Sequence, residues 1–105
     1  DELLARSMAV EPNVPEMLGF RRDDALEVIR ALEGTDVIIL GGEVFDLSED
    51  GIVPAYANWH FDPSPAHSVH DDARLSRERA WDYVARYPVR DVEALFEFTF
   101  RQAAS

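Results

Sequence analysis

A strand pattern broken by two glycines is the feature that most limits how this chain can fold. Residues 37–40 are apolar at every position, which is typical of a strand covered on both faces. Gly41 and Gly42 follow at once, and glycines inside a strand predict a bulge or the close approach of another backbone segment. Because the strand pattern resumes after them, we expect one long strand over residues 36–47.

A hairpin is predicted after this strand. Residues 48–51 are typical turn residues, and Gly51 can adopt the positive φ that such a turn requires. The return strand, residues 52–61, alternates between two faces. Its core face would carry Val53, Ala55, Ala57, Trp59 and Phe61, and its more polar face Ile52, Pro54, Tyr56, Asn58 and His60. Pro54 lacks the N–H that a central strand needs, so we expect this strand at an edge of the sheet.

Three helices are expected around these strands. Residues 2–8 are compatible with a short helix. Residues 23–33 carry apolar side chains at helical spacing, with Asp23 as N-cap and Gly34 as a left-handed residue after the last turn. A longer helix with its own apolar stripe is predicted over residues 68–87.

Separate sequence patterns mark the two ends of the long helix and predict the last strand. Ser68 and Asp71 resemble a capping box, with aspartate in place of the usual glutamate, and Pro88 ends the helix. Residues 92–101 contain a strict alternation of phenylalanine with polar residues, which predicts a strand.

The predicted fold class is α+β. The element order α-α-β-β-α-β places the first hairpin strand in the middle and the C-terminal strand on its other side. The result is a three-stranded, mainly antiparallel sheet, formed by the hairpin and the C-terminal strand, with helices packed on one face. The other face would carry Tyr56, Asn58, His60, Glu97, Thr99 and Arg101. We expect a single domain over residues 1–105, and a start at Asp1 rather than at methionine points to a truncated N-terminus.

The absence of cysteine and the shortness of the apolar runs bear on the cellular compartment of the protein. The 105 residues include no cysteine, which excludes disulfides, thiolate metal ligands and a cysteine nucleophile. A small domain without disulfides favours a reducing compartment, so we expect a cytoplasmic protein. The longest apolar run is far too short to span a bilayer, so we expect no membrane contact.

The excess of acidic over basic residues limits the classes of molecule that the protein can bind. Twenty-one acidic residues face ten basic ones, giving a formal net charge of −11. Such a charge repels phosphate backbones, so we expect no binding to nucleic acid. It attracts basic proteins and speeds their encounter, and a basic nuclease-like domain would be a suitable partner. The same charge also fits a role in solubility alone.

The sequence gives little support for a catalytic site or a metal site. His67 and His70 stand beside two aspartates, but they lack the spacing of common ligand sets. Asp46, His60 and Asp62 are the best candidates for acid–base catalysis, yet so acidic a chain produces such pairs by chance. No nucleophile-elbow or P-loop pattern is present. We therefore predict no enzyme activity, no metal and no cofactor.

The most distinctive stretch is residues 56–60. Tyrosine and histidine combine apolar area with a polar group, which suits contacts in an interface. Trp59 lies on the apolar face of the predicted strand, so we expect it in the core. Tyr56, Asn58 and His60 are better candidates for an interface, and an ordinary solvated sheet face is the alternative.

Two short segments resemble the immunity protein 40 family of bacterial polymorphic-toxin systems. They are ILGGEVF at residues 39–45 and YANW at residues 56–59, and the similarity in order and spacing extends over about residues 23–87. Glu43 stands where the family pattern has aspartate, and Phe45 where it has tyrosine. The resemblance implies a protein that binds and neutralises a cognate toxin by stoichiometric contact.

Three functions remain open at this point. Under the immunity hypothesis, the predicted toxin-contact residues are Glu43, Asp46, Tyr56, Asn58 and His60, and the structural motif is Gly41, Gly42 and Trp59. The first alternative is a non-catalytic interaction module or homodimer that pairs exposed strand edges. The second is a small metal-dependent enzyme using His60, or His67 with His70.

Overall fold

The computed structural model describes residues 2–10 and 18–102. In chain order its elements are α1 (Glu2–Arg6), β1 (Met8–Ala9), β2 (Leu18–Arg21), α2 (Arg22–Ala31), β3 (Ile38–Ser48), β4 (Gly51–His60), α3 (Val69–Arg86) and β5 (Glu93–Arg101). The predicted hairpin is β3–β4, and the predicted C-terminal strand is β5.

Within the two described ranges, the sheet has five strands in the order β1-β2-β5-β3-β4, and each of its pairings is antiparallel. The α+β class and the antiparallel sheet are therefore confirmed, but the prediction of three strands is wrong. β1 and β2 extend the sheet beyond β5. They have two and four residues, too few to show an alternating pattern, and β2 is held by pairing with β5. β4 lies at the edge, as Pro54 predicts.

The two long helices begin differently. Ser68 is the N-cap of α3, and its hydroxyl accepts a hydrogen bond from the Asp71 N–H at 3.1 Å, as the capping pattern predicts. The N-cap position of α2 lies two residues earlier than expected, at Arg21, which makes no side-chain cap. Asp23 lies in the first turn of α2, where its charge favours the positive helix end. The prediction of Asp23 as N-cap is therefore wrong.

The main core lies between one sheet face and the two long helices. Its buried residues come from α2, α3 and four strands: Phe20, Ala25, Ile29, Ile39, Val44, Trp59, Ala80, Val84, Phe96 and Phe98. Ser76 of α3 fastens this layer to the sheet, since its hydroxyl accepts a hydrogen bond from the Ile39 N–H at 2.9 Å. Burial of this apolar area is the chief force that holds helices and sheet together.

The two glycines in β3 have the predicted roles. The register between β3 and β5 shifts between Ile39 and Gly41, so a bulge lies at this point. Gly41 has φ +149°, and a Cβ there would lie 2.2 Å from the Trp59 carbonyl oxygen. A Cβ on Gly42 would lie 2.5 Å from the Trp59 ring. Only glycine at both positions lets β4 and its tryptophan approach this closely.

The opposite side of the sheet, which we call the open face, is apolar at one end. Val10, Phe45 and Leu95 are buried there in a second cluster, together with the partly buried Met8, Leu47 and Ile52. The segment around β1 covers this end and reaches as far as Gly19 of β2, where the Val10 side chain would collide with a Cβ. The open face is therefore polar only at its other end.

Candidate functional site

The polar end of the open face is built by four adjacent strands. Side chains of residues paired across neighbouring strands project from the same side of a sheet. The register aligns Gly19 of β2, Glu97 of β5, Glu43 of β3 and Asn58 of β4 in one row. A second row contains Thr99, Gly41 and His60. The structure thus brings the predicted Glu43, Asn58 and His60 together on one face.

Glu97 is the least expected residue of this group. It lies in the central strand β5, is only 9% exposed, and faces Glu43 directly across the β3–β5 pairing. Its carboxylate makes no hydrogen bond or ion pair within residues 2–10 and 18–102. Burial, followed by repulsion from the Glu43 carboxylate, raises the pKa of Glu97 to about 7. The alternation of β5 places Glu97 on this face, but the sequence did not single it out as a site residue.

Tyr56 lies in a bulge of the edge strand. Val44 pairs with Ala57 and Phe45 pairs with Pro54, so Tyr56 and the residue before it have no partner in β3. In the described part of the chain, Tyr56 is the one residue other than glycine with a positive φ, +58°. Its side chain is 92% exposed. A left-handed conformation costs a non-glycine residue about 1–2 kcal/mol, so this tyrosine is strained as well as exposed.

Asp46 is not brought together with the other predicted contact residues. It pairs with Val53 and, being an even number of residues from Val44, projects to the helix-covered side of β3. There Arg90 binds both carboxylate oxygens, with Nη1 3.3 Å from Oδ2 and Nη2 in contact with Oδ1. This bidentate ion pair raises the pKa of the Arg90 guanidinium. Asp46 thus tethers the loop before β5 to the hairpin.

His60 ends the edge strand and is anchored by its backbone. Its carbonyl oxygen accepts a hydrogen bond from Arg79 Nε of α3 at 2.6 Å. Its imidazole Nε2 lies 3.7 Å from Asp62 Oδ2, and both side chains are largely exposed. Such an exposed pair contributes little to stability, so the ring is available for contact on the open face.

Of the other two histidines, one helps to hold a loop and the other is largely exposed. His67 Nδ1 lies 3.1 Å from Asp72 Oδ1, and the same oxygen accepts a hydrogen bond from the Ser64 N–H at 3.4 Å. His70 Nδ1 is 4.0 Å from an Asp36 carboxylate oxygen. Within residues 2–10 and 18–102, no three histidine, aspartate or glutamate side chains come close enough to share a metal ion.

Trp59 belongs to the core, as the alternation of β4 predicts. It is 4% exposed and stacks on Tyr83 of α3, with ring centroids 4.7 Å apart. Phe98 of β5 meets it edge-on at 5.8 Å. Trp59 therefore holds the edge strand against α3, while its neighbours Asn58 and His60 project to the open face.

The comparisons with known proteins agree with the resemblance noted above. The family model described as immunity protein 40 matches residues 9–100, which is most of the chain. No curated protein and no solved structure matches the chain. Of the helices in the described ranges, none combines the length and the apolar character that crossing a membrane requires. On the match over residues 9–100, the chain belongs to the immunity protein 40 family.

Proposed function

We propose that this protein binds a cognate bacterial toxin in a one-to-one complex and thereby blocks the toxin's activity. Family membership supports the role, and the action would be stoichiometric binding rather than catalysis. The net charge of −11 favours a basic partner, such as a nuclease-like toxin domain in the cytoplasm of the producing cell.

The observation that carries the proposal is the conformation of Tyr56. A strained backbone persists only where the surrounding structure maintains it, and such residues concentrate at functional sites. Tyr56 has φ +58° and leaves 92% of its side chain exposed. The free protein therefore gains little packing from this ring. An exposed, preorganised aromatic side chain is suited to fill a pocket on a partner, where aromatic residues supply much of the binding energy.

The contact region we assign surrounds Tyr56 on β3 and β4. We define it as Tyr56, Asn58, His60 and Glu43, which lie on or beside the polar end of the open face. Glu43 and Asn58 are directly paired across the two strands. We leave Asp46 out of the contact region, because its carboxylate is engaged by Arg90 on the other side of the sheet.

A homodimer formed through the β4 edge is the weaker alternative. The edge is open along β4, but Pro54 lacks an N–H and the bulge at Tyr56 breaks the regular spacing of backbone groups. Arg79 already donates a hydrogen bond to the outward-facing carbonyl oxygen of His60. These features disfavour continuous pairing with a second copy, and they leave side-chain contacts as the means of recognition.

Binding to the toxin-like domain encoded beside the gene tests the proposal. Calorimetry with the wild-type protein should give a one-to-one complex with nanomolar affinity. Tyr56→Ala should weaken binding by about 30-fold or more, as expected for an aromatic hot spot worth about 2 kcal/mol. Val53→Ala is a matched control, because Val53 is also exposed on β4 but projects to the other side of the sheet.

Two results would count against the proposal. Absence of binding between two folded proteins would remove this toxin as the partner. Equal affinities for wild type, Tyr56→Ala and Val53→Ala would retain the role but exclude Tyr56 as an anchor. Measurements at low and moderate salt separate the steering by charge, which salt screens, from the apolar contact, which it does not.

A further inference from the structure

Two facing carboxylates on the open face have no counter-charge in the described part of the chain. Glu97 and Glu43 are direct neighbours across β5 and β3. Glu97 is nine-tenths buried, and no group in residues 2–10 and 18–102 donates a hydrogen bond to it or forms an ion pair with it. Like charges directly opposite each other destabilise a sheet, and removing most of the Glu97 side chain from water adds to that cost.

The charged groups around this pair are engaged elsewhere. Arg21 of β2 lies one row away, where its Nε is 3.1 Å from the Glu93 carboxylate. His60 of β4 lies in the adjacent row on the other side and is 3.7 Å from Asp62. The partner of Glu97 on β2 is Gly19, which has no side chain, and the apolar Val10 packs over it. Within residues 2–10 and 18–102, the fold thus leaves two carboxylates side by side and brings no cation to them.

We propose that Glu43 and Glu97 together bind an arginine or lysine side chain of the partner protein. This inference rests on the proposed function, and it names the chemistry that the partner must offer to the open face. A guanidinium or ammonium group placed between the two carboxylates would remove their repulsion and satisfy the buried one with charge-assisted hydrogen bonds. Asn58, next to Glu43 in the same row, supplies a further polar group at the rim.

Proton release is a signature of this mode of binding. Burial and Glu43 raise the pKa of Glu97 to about 7 in the free protein. A bound cation favours the ionised carboxylate, so this pKa falls in the complex. Affinity should therefore rise from pH 6 to pH 8 and level off above, where Glu97 is already ionised. At pH 7 the complex should release about half a proton from Glu97.

Calorimetry of the complex in buffers with different ionisation enthalpies tests the site. Glu97→Gln and Glu43→Gln should each weaken binding of the toxin-like domain about tenfold or more at pH 8. Glu97→Gln should also remove the proton release. The matched control is Glu49→Gln, which deletes the same charge at an exposed position of the hairpin turn. It should change neither the proton release nor, at moderate salt, the affinity by more than about twofold.

The outcomes separate this inference from the proposed function. If wild type binds and either Glu97→Gln or Glu43→Gln retains wild-type affinity, the cation site is overturned and the toxin-binding role remains. If wild type does not bind, that toxin is not the partner, and the site is then judged by NMR titration with N-acetylarginine amide. This ligand should lower the measured pKa of Glu97, and an unchanged pKa would overturn the site.

Discussion

The indole ring of Trp59 lies directly against the backbone of Gly42 on the neighbouring strand. A Cβ on Gly42 would stand 2.5 Å from the ring and 2.1 Å from the Glu97 carbonyl oxygen. Neither neighbour can move easily, because the ring is stacked on Tyr83 and the carbonyl belongs to the central strand. The edge strand therefore sits against β3 at a distance that only glycine permits.

Gly42→Ala is accordingly expected to lower the free energy of unfolding by about 3 kcal/mol, at the upper end of the cost of overpacking. Denaturant unfolding followed by tryptophan fluorescence would measure it. Gly34→Ala is the comparison, since a Cβ there has open space and the only cost is the positive φ of +80°. That cost should be about 1 kcal/mol. Equal losses for the two variants would contradict the packing argument.

Asp46→Asn is expected to affect stability rather than toxin binding. The change weakens the bidentate pair with Arg90, whose guanidinium also lies over the Tyr87 ring at 5.3 Å. Because the pair is partly exposed, the loss of stability should be small. A double-mutant cycle with Arg90→Gln, measured by urea unfolding, isolates the pairwise energy. If Asp46→Asn weakens toxin binding as much as Glu43→Gln does, the assignment of the two residues to separate faces is wrong.

Tyr56→Gly should have different effects on the stability of the fold and on toxin binding. Glycine adopts positive φ without strain, so the variant should be as stable as wild type or more stable by up to about 1 kcal/mol. The same change removes the exposed ring and should weaken toxin binding at least as much as Tyr56→Ala does. Thermal unfolding and calorimetry on one preparation measure both effects. A clear loss of stability would show that Tyr56 supports the fold and would remove the argument from strain.

Local signals explain why much of the fold could be predicted. The Ser68 cap, the turn at Gly51 and the edge position of Pro54 each depend on a few adjacent residues, and all three are confirmed. β2 depends instead on pairing with residues distant in the chain, Glu97 among them. Four residues carry too little pattern to reveal such a strand, so the sheet was predicted with too few strands.

The same distinction between local patterns and long-range pairing applies to the candidate site. Alternation along β4 is enough to place Asn58 and His60 on one face, and the register adds Glu43. A bulge with a left-handed tyrosine has no sequence signal, because Tyr56 is not a residue type that favours positive φ. The environment of Glu97 likewise arises only when β2, β5 and β3 come together. Sequence patterns therefore predict which face of the sheet a residue occupies. The backbone strain at Tyr56 and the electrostatic environment of Glu97 follow only from the assembled sheet.

The raised pKa of Glu97 leads to a stability prediction that needs no partner. Glutamate in the unfolded chain titrates near its ordinary pKa of 4.5, whereas burial and Glu43 raise the folded-state pKa to about 7. The folded state thus prefers the protonated form. Relative to glutamine, which does not titrate, Glu97 becomes progressively destabilising as the pH rises from 4.5 to 7, and the penalty is constant above 7.

Glu97→Gln should therefore be more stable than wild type at pH 8, by about 1–2 kcal/mol once solvent screening of the partly accessible carboxylate is allowed for. The two proteins should be nearly equal in stability at pH 4.5. Urea unfolding at several pH values between 4.5 and 8 would measure the difference, with Glu49→Gln as the exposed control, whose difference from wild type should not vary in this way. A Glu97→Gln advantage that is independent of pH would show that the carboxylate titrates normally in the folded protein, and that its charge is accommodated without a partner.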